Sequence, residues 1–198
     1  MALRGRPLGF DRDLALKRAM EVFWSKGYEG TQLVDLTIAM GINPPSFYAA
    51  FGNKKAAFCE AVDLYIETIG SKSAKALNAA KTAREGLKAM LKCTIDVATS
   101  NESGGCLIVL GVVNNFPENH EVWTYLKKAR SSTLAMIHAR LERGVIEGDL
   151  PTNTDVKVLA SYFLGLTQTI SFQARDGASR TALTQLIKPA MAALPPHP

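Results

Sequence analysis

Cysteine and histidine are scarce in this 198-residue chain, three of each, and the shortage excludes a good deal. Cys59, Cys93 and Cys106 are too scattered for a disulfide framework and share no zinc-ligand spacing with the histidines. Neither a metal nor a disulfide is expected to hold the fold, and no cofactor is implied. Long apolar runs are lacking too: the longest, 106–113, falls far short of the ~20 residues that cross a bilayer. Residues 1–10 contain nothing like a secretion signal, so a soluble, cytoplasmic protein with no membrane partner is expected. Alternating strand patterns are missing as well, which leaves helical periodicity throughout and an all-α class. What is present is 47% hydrophobic against 21% charged residues, enough to bury a core and exclude wholesale disorder. The net charge, 23 basic minus 18 acidic residues or +5, is compatible with nucleic acid without demanding it. Its distribution says more: Arg4 and Arg6 precede any acid, and Lys54 and Lys55 form a second basic cluster.

Glycine and proline divide the chain. Over 12–26, Leu16, Met20, Phe23 and Trp24 form one apolar stripe of a helix, with Asp11 as its cap and Gly27 as its stop. Thr31 can cap a second helix over 31–40, which buries Leu33, Leu36 and Met40 and ends at Gly41. A short third helix over 43–52 has Asn43 as cap, Pro44 at its first position and Gly52 at its end. A longer one runs from Asn53 or Lys54 towards residue 73. Further helices are predicted over 82–99, 106–114, 118–144, 154–174 and 179–194.

The layout of 31–51, a helix, the turn Gly41-Ile42-Asn43 and a second short helix, is that of a helix-turn-helix, whose second helix enters the DNA major groove. Gly41 permits positive φ at the reversal, Ile42 can wedge between the helices, and Phe47 and Phe51 can anchor the short helix inward. The other side presents Pro44, Pro45, Ser46, Tyr48 and Ala49 with no charge to obstruct a fit into a groove. An ordinary helical hairpin accounts for the same segment.

The N-terminal third also resembles the TetR family of bacterial transcription regulators, in its AcrR-like branch. Ala19, Phe23, Gly27, Tyr28 and Thr31 carry the likeness first, then Asp35, Leu36, Gly41 and Ile42, then Phe47, Tyr48, Phe51, Lys54 and Phe58. The sequence departs from the family at Ala50, where histidine is common, and at Asn43-Pro44-Pro45, where serine and lysine are common. The resemblance implies a DNA-binding helix-turn-helix domain over 1–55 and an effector-binding and dimerisation domain over 56–198. It implies a homodimer on double-stranded, palindromic operator DNA, recognition helices ~34–36 Å apart, and release by a small-molecule effector. By position Thr31 and Lys54 are expected at phosphates, with Tyr48 at the backbone or a base edge. No Arg, Gln or Lys lies between Asn43 and Gly52, so bidentate reading of guanine is excluded and apolar contacts with thymine methyls carry more. Arg4 and Arg6 look like an arm for a narrow minor groove, or else a solvated terminus.

For pairing with a second copy, Leu159, Phe163, Leu166 and Ile170 form a stripe that an internal core would explain equally well. The family senses through a cavity among the middle helices, and the residues expected to line one are Met90, Ile95, Val109, Phe116, Trp123, Met136, Gln168 and Phe172. Cys106 joins them. Following Gly104 and Gly105 at a predicted helix start, its thiol would meet the positive end of the helix dipole and be reactive, although a small buried cysteine is also ordinary packing. No nucleophile–base pair, phosphate-binding glycine loop or metal set is visible, so catalysis has no positive sign. The alternative to a regulator is a helical small-molecule carrier or enzyme that does not act on DNA.

Overall fold

A computed structural model describes residues 9–100 and 104–196, and every element among them is helical. Asp11 opens the first helix as expected, its carboxylate accepting from the N–H groups of Asp13 and Leu14 at 3.0 Å. Helix α1 spans Arg12–Gly30, and Gly27 kinks it, at φ 69°, where a stop was expected. The second helix starts later than the sequence suggested, as α2, Leu33–Met40. Gly41 then reverses the chain at φ 69°, ψ 34°, and the Ile42 N–H donates back to the Thr37 carbonyl at 3.1 Å. Helix α3, Pro44–Phe51, is capped by the Asn43 side chain accepting from the Ser46 N–H at 2.9 Å.

Asn53 caps α4, Lys54–Tyr65, in the same manner. A π turn at Ile66–Gly70 joins α4 to α5, Ser71–Ala79, so the helical path runs past the expected end near residue 73. Helix α6, Ala83–Ala98, lies within the predicted span. The predicted helix over 106–114 is a single turn, α7, Leu107–Leu110. The reason is tertiary: the Gly111 carbonyl, which a longer helix would need, accepts instead from the Tyr28 N–H at 2.8 Å. A 3-10 turn at Pro117–Asn119 leads into α8, His120–Ile146, followed by α9, Val156–Arg175. The last predicted helix is broken into α10, Arg180–Thr184, and α11, Ile187–Ala192. Pro189 has no N–H for the carbonyl of Gln185 and its ring crowds that carbonyl, so a continuous helix cannot cross here.

Two apolar clusters fill the molecule. The first joins Phe23 and Trp24 of α1, Leu36 of α2, Phe47 and Phe51 of α3 and Phe58 of α4 to Leu107, Val122 and Leu126 of the larger bundle. The rings of Phe23 and Phe58 meet edge-on at 5.0 Å, as do those of Trp24 and Tyr65. The second cluster lies among α5, α6, α8, α9, α10 and α11. It claims the stripe proposed for pairing, since Phe163 and Ile170 are 0% and 1% exposed and Leu159 and Leu166 pack against them. The outward stripe of α9 is a different one: Val158, Tyr162 and Phe172 at 62%, 39% and 45% exposure, with Gly165 between them facing open space.

Candidate nucleic-acid interface and the cavity behind it

The outward face of α3 is the first candidate site. Phe47 and Phe51 are buried and hold the helix inward, their ring centroids 5.7 Å apart. Arg12 adds a clamp: its guanidinium lies 4.5 Å over the Phe51 ring and donates to the Ala50 carbonyl at 3.1 Å and to Glu60 at 2.7 Å. One side chain thus ties α1 to α3 and α4. Pro44, Pro45, Tyr48 and Ala49 are left exposed with Ser46 half-buried beside them, the arrangement the sequence predicted. Tyr48 is 53% exposed, and its ring meets that of Phe47 edge-on.

The residues expected at phosphates are placed differently. Thr31 is fully buried and its hydroxyl donates to the Gly27 carbonyl at 2.6 Å, so it closes α1 and does not open α2. The N–H of Gln32 is instead taken by the Asp35 carboxylate at 2.8 Å. Lys26 pairs with the same carboxylate at 2.6 Å and, with the Gln32 N–H, holds its pKa below the usual value. Lys54 sits 4.3 Å over the Tyr28 ring and donates to the carbonyls of Tyr28 and Thr31, both at 2.9 Å. Burial lowers its pKa. Two of its three donors are spent inside the fold, so Lys54 is first of all a strut between α1 and α4. Lys55 is paired with Glu121 of α8. The basic cluster read from the sequence therefore braces the molecule, because each ammonium finds a partner only the fold brings near. Arg4 and Arg6 lie outside the described residues.

Behind this head, α4, its π turn, α5, α6, α7, α8 and α9 enclose a cavity of about 410 Å3. Met90, Cys106, Val109, Met136 and Gln168 line it, as expected. Four others do not. Ile95 packs into the second cluster at 1% exposure; Phe116 and Phe172 are exposed at 51% and 45%; Trp123 packs against the first cluster with its ring stacked on His120. Periodicity names the apolar positions of a helix, and the direction each one faces is set by its neighbours. The sequence reading passed over Tyr65, Thr94 and Arg130, which also line the cavity. Arg130 carried a visible signal, for at helical spacing it stands between Leu126 and Ile137 on the inward side of α8.

The Tyr65 hydroxyl donates to the Cys106 sulfur at 3.3 Å. Burial, and then the neighbouring Cys106, raise the pKa of Tyr65, so the ring stays a neutral donor. The single turn of α7 gives little of the helix dipole that the sequence suggested for Cys106. The segment around this cysteine is stitched to the DNA-binding head: Trp24 Nε1 donates to the Gly105 carbonyl at 3.1 Å, and Tyr28 to Gly111. Arg175 of α9 adds bonds to the carbonyls of Ser25 and Trp24 at 2.9 and 2.8 Å. Gly104 and Gly105 have φ of 67° and 75°, and a Cβ on Gly104 would lie 2.6 Å from the Ala174 carbonyl oxygen.

A helix-turn-helix with an uncharged reading face, joined to a helical bundle around a cavity, defines a DNA-binding regulator. Comparison with known proteins gives the family. Residues 15–61 match the profile of "Bacterial regulatory proteins, tetR family". The chain is 32% identical over 185 residues to the HTH-type transcriptional repressor ComR of Escherichia coli (strain K12), covering 92% of this chain and 88% of that protein. It is 29% identical over 131 residues, 66% of each protein, to the repressor BdcR of the same organism. Its fold matches that of the TetR family transcriptional regulator CifR, as a triple cysteine mutant complexed with 26-bp double-strand operator DNA. The TM-score is 0.93 and the identity 41%, over 96% of this chain and all of that one. The protein described here belongs to the TetR family of transcriptional regulators, which are not enzymes. Among its described residues no helix is long and apolar enough to cross a membrane.

Proposed function

We propose that the chain is a homodimeric repressor of the bacterial cytoplasm. It occupies a palindromic operator and is released when a small molecule enters the cavity or when Cys106 is modified. The observation that carries the reading is the exposed, uncharged face of α3, held by Arg12, Phe47 and Phe51. Its likeness to a regulator complexed with operator DNA and to two relatives named as repressors supports it. Residues 1–55 read DNA and residues 56–198 sense and pair. The bare stripe Val158, Tyr162 and Phe172 on α9, with Gly165 allowing close approach, is the surface for the second copy. The geometry supports such a release: the π turn lines the cavity at the far end of the helix that begins with Lys54, and the Cys106 segment is bonded to α1. A shift at either point tilts the head, and two heads ~34–36 Å apart lose their fit to successive grooves.

Genome-wide capture of DNA by the purified full-length protein, followed by binding to the recovered fragments, tests the reading. Binding to a palindromic site as a dimer is expected. A monomer in solution, or no enrichment of any site, would overturn it.

A further inference from the structure

Among the described residues that line the cavity, Arg130 is the one charged side chain, and none of them is a carboxylate. It is half-buried on α8, and Nη1 donates to the Ile108 carbonyl at 2.9 Å. That bond uses one of the five N–H groups of a guanidinium, and the charge it satisfies is none. Most other polar side chains of the wall already donate elsewhere. The hydroxyls of Ser71, Thr94, Ser132, Thr133, Thr167 and Ser171 each donate to a carbonyl of their own helical path. Tyr65 donates to Cys106. The strong side-chain donors left over are Arg130, the Gln168 amide and Ser73. A cavity with largely apolar walls, spare donors and one positive charge, with no counter-charge among its described residues, selects for a negatively charged acceptor, because a half-buried guanidinium whose charge is not neutralised is costly.

We propose that the effector of this cavity is an apolar compound bearing a carboxylate, the carboxylate on Arg130 and the hydrocarbon part along Tyr65, Met90 and Met136. The inference rests on the cavity being the sensor, as proposed above, and adds the chemistry of what it senses. The Gln168 amide is the second donor available to such a headgroup. Burial lowers the pKa of Arg130, with the nearby Cys106 opposing it, and an incoming carboxylate would relieve that burden.

Octanoate and octan-1-ol have chains of one length and differ in the charge of the head. Their affinities for the full-length protein, read from tryptophan fluorescence and melting temperature, and their power to release captured operator DNA test the proposal. Octanoate is expected to bind roughly 10- to 100-fold more tightly than octan-1-ol. Arg130→Gln should abolish that preference and Arg130→Lys should retain most of it. Equal or tighter binding of the alcohol, or an unchanged preference in Arg130→Gln, overturns the proposal. So does a variant whose only change is the rate at which Cys106 is alkylated, since Arg130 would then serve the thiol alone. If octan-1-ol binds and releases DNA while octanoate does not, the sensor reading stands and the carboxylate falls. If neither binds, and filling the cavity with Met136→Trp leaves DNA release by every compound unchanged, both fall. Should Arg130→Gln fail to fold, the wild-type ratio of the two probes and the Lys variant decide.

Discussion

Tyr48 and Lys54 stand six residues apart and do different work. Tyr48 is exposed and free of hydrogen-bonded partners among the described residues, so Tyr48→Ala is expected to cut operator affinity about tenfold, within the ~1–3 kcal/mol of a good groove contact. Its melting temperature should stay near that of the parent, and fluorescence anisotropy beside a thermal melt checks both. Lys54→Ala should do the reverse. It leaves the carbonyls of Tyr28 and Thr31 without their donor and strips the cation from the Tyr28 ring, which costs about 1–3 kcal/mol and lowers the melting temperature by several degrees. An unchanged melt with lost DNA binding would return Lys54 to the phosphates. With α3 in the groove, as proposed, the absence of Arg, Gln and Lys from it would make thymine methyls the natural targets of Pro44, Pro45 and Ala49. Replacing operator thymines by uracil should weaken binding at two or more positions; no change anywhere refutes methyl reading.

Helices were legible where local chemistry decides them. Asp11, Asn43 and Asn53 cap the helices they were expected to cap or precede, and Pro44 stands at a first turn that needs no N–H. Legibility failed where a tertiary bond outbid the local one. Tyr28 takes the carbonyl that would have lengthened α7, and the α9 stripe that looked fit for pairing is taken up by the second apolar cluster. Gly104 belongs to the same class, a residue whose need comes from a neighbour distant in sequence. Gly104→Ala forces a left-handed residue against the Ala174 carbonyl and is expected to cost more than ~1–3 kcal/mol, seen as a lower melting temperature and weaker coupling of ligand to DNA release. On the outward face of α9, Tyr162→Asp should leave the protomer folded, since the ring lies on the surface, and separate the two copies. Analytical ultracentrifugation reads that outcome, and a mutant still dimeric would move the interface elsewhere.

For the molecule as a whole, the helix-turn-helix head and the bundle share one apolar cluster, with Phe23 and Trp24 of the head packed beside Leu107 and Leu126 of the bundle. In the proposed release, such a connection would turn a change in the cavity into a change in the angle of the head, and ~1–3 kcal/mol of differential binding would couple the two. Electrostatics enters as well. The formal charge of +5 supports binding to random DNA that falls linearly in log affinity with log salt, and a salt titration of the full-length protein should show it. With Lys26, Lys55 and Arg12 each paired to a carboxylate, the slope should be modest. A slope of zero would remove DNA from the account.

By itself the sequence determined the helical class, the reading head and its outward face, because capping, glycine reversals and apolar periodicity act over a few neighbouring residues. It also supplied five of the residues around the cavity. Only the tertiary structure decided which carbonyls Lys54 and Thr31 bond to, which stripe of α9 is left bare, and that Arg130 faces a largely apolar cavity. Those outcomes depend on which groups from distant parts of the chain come within a few ångströms of one another, and no local pattern encodes such meetings.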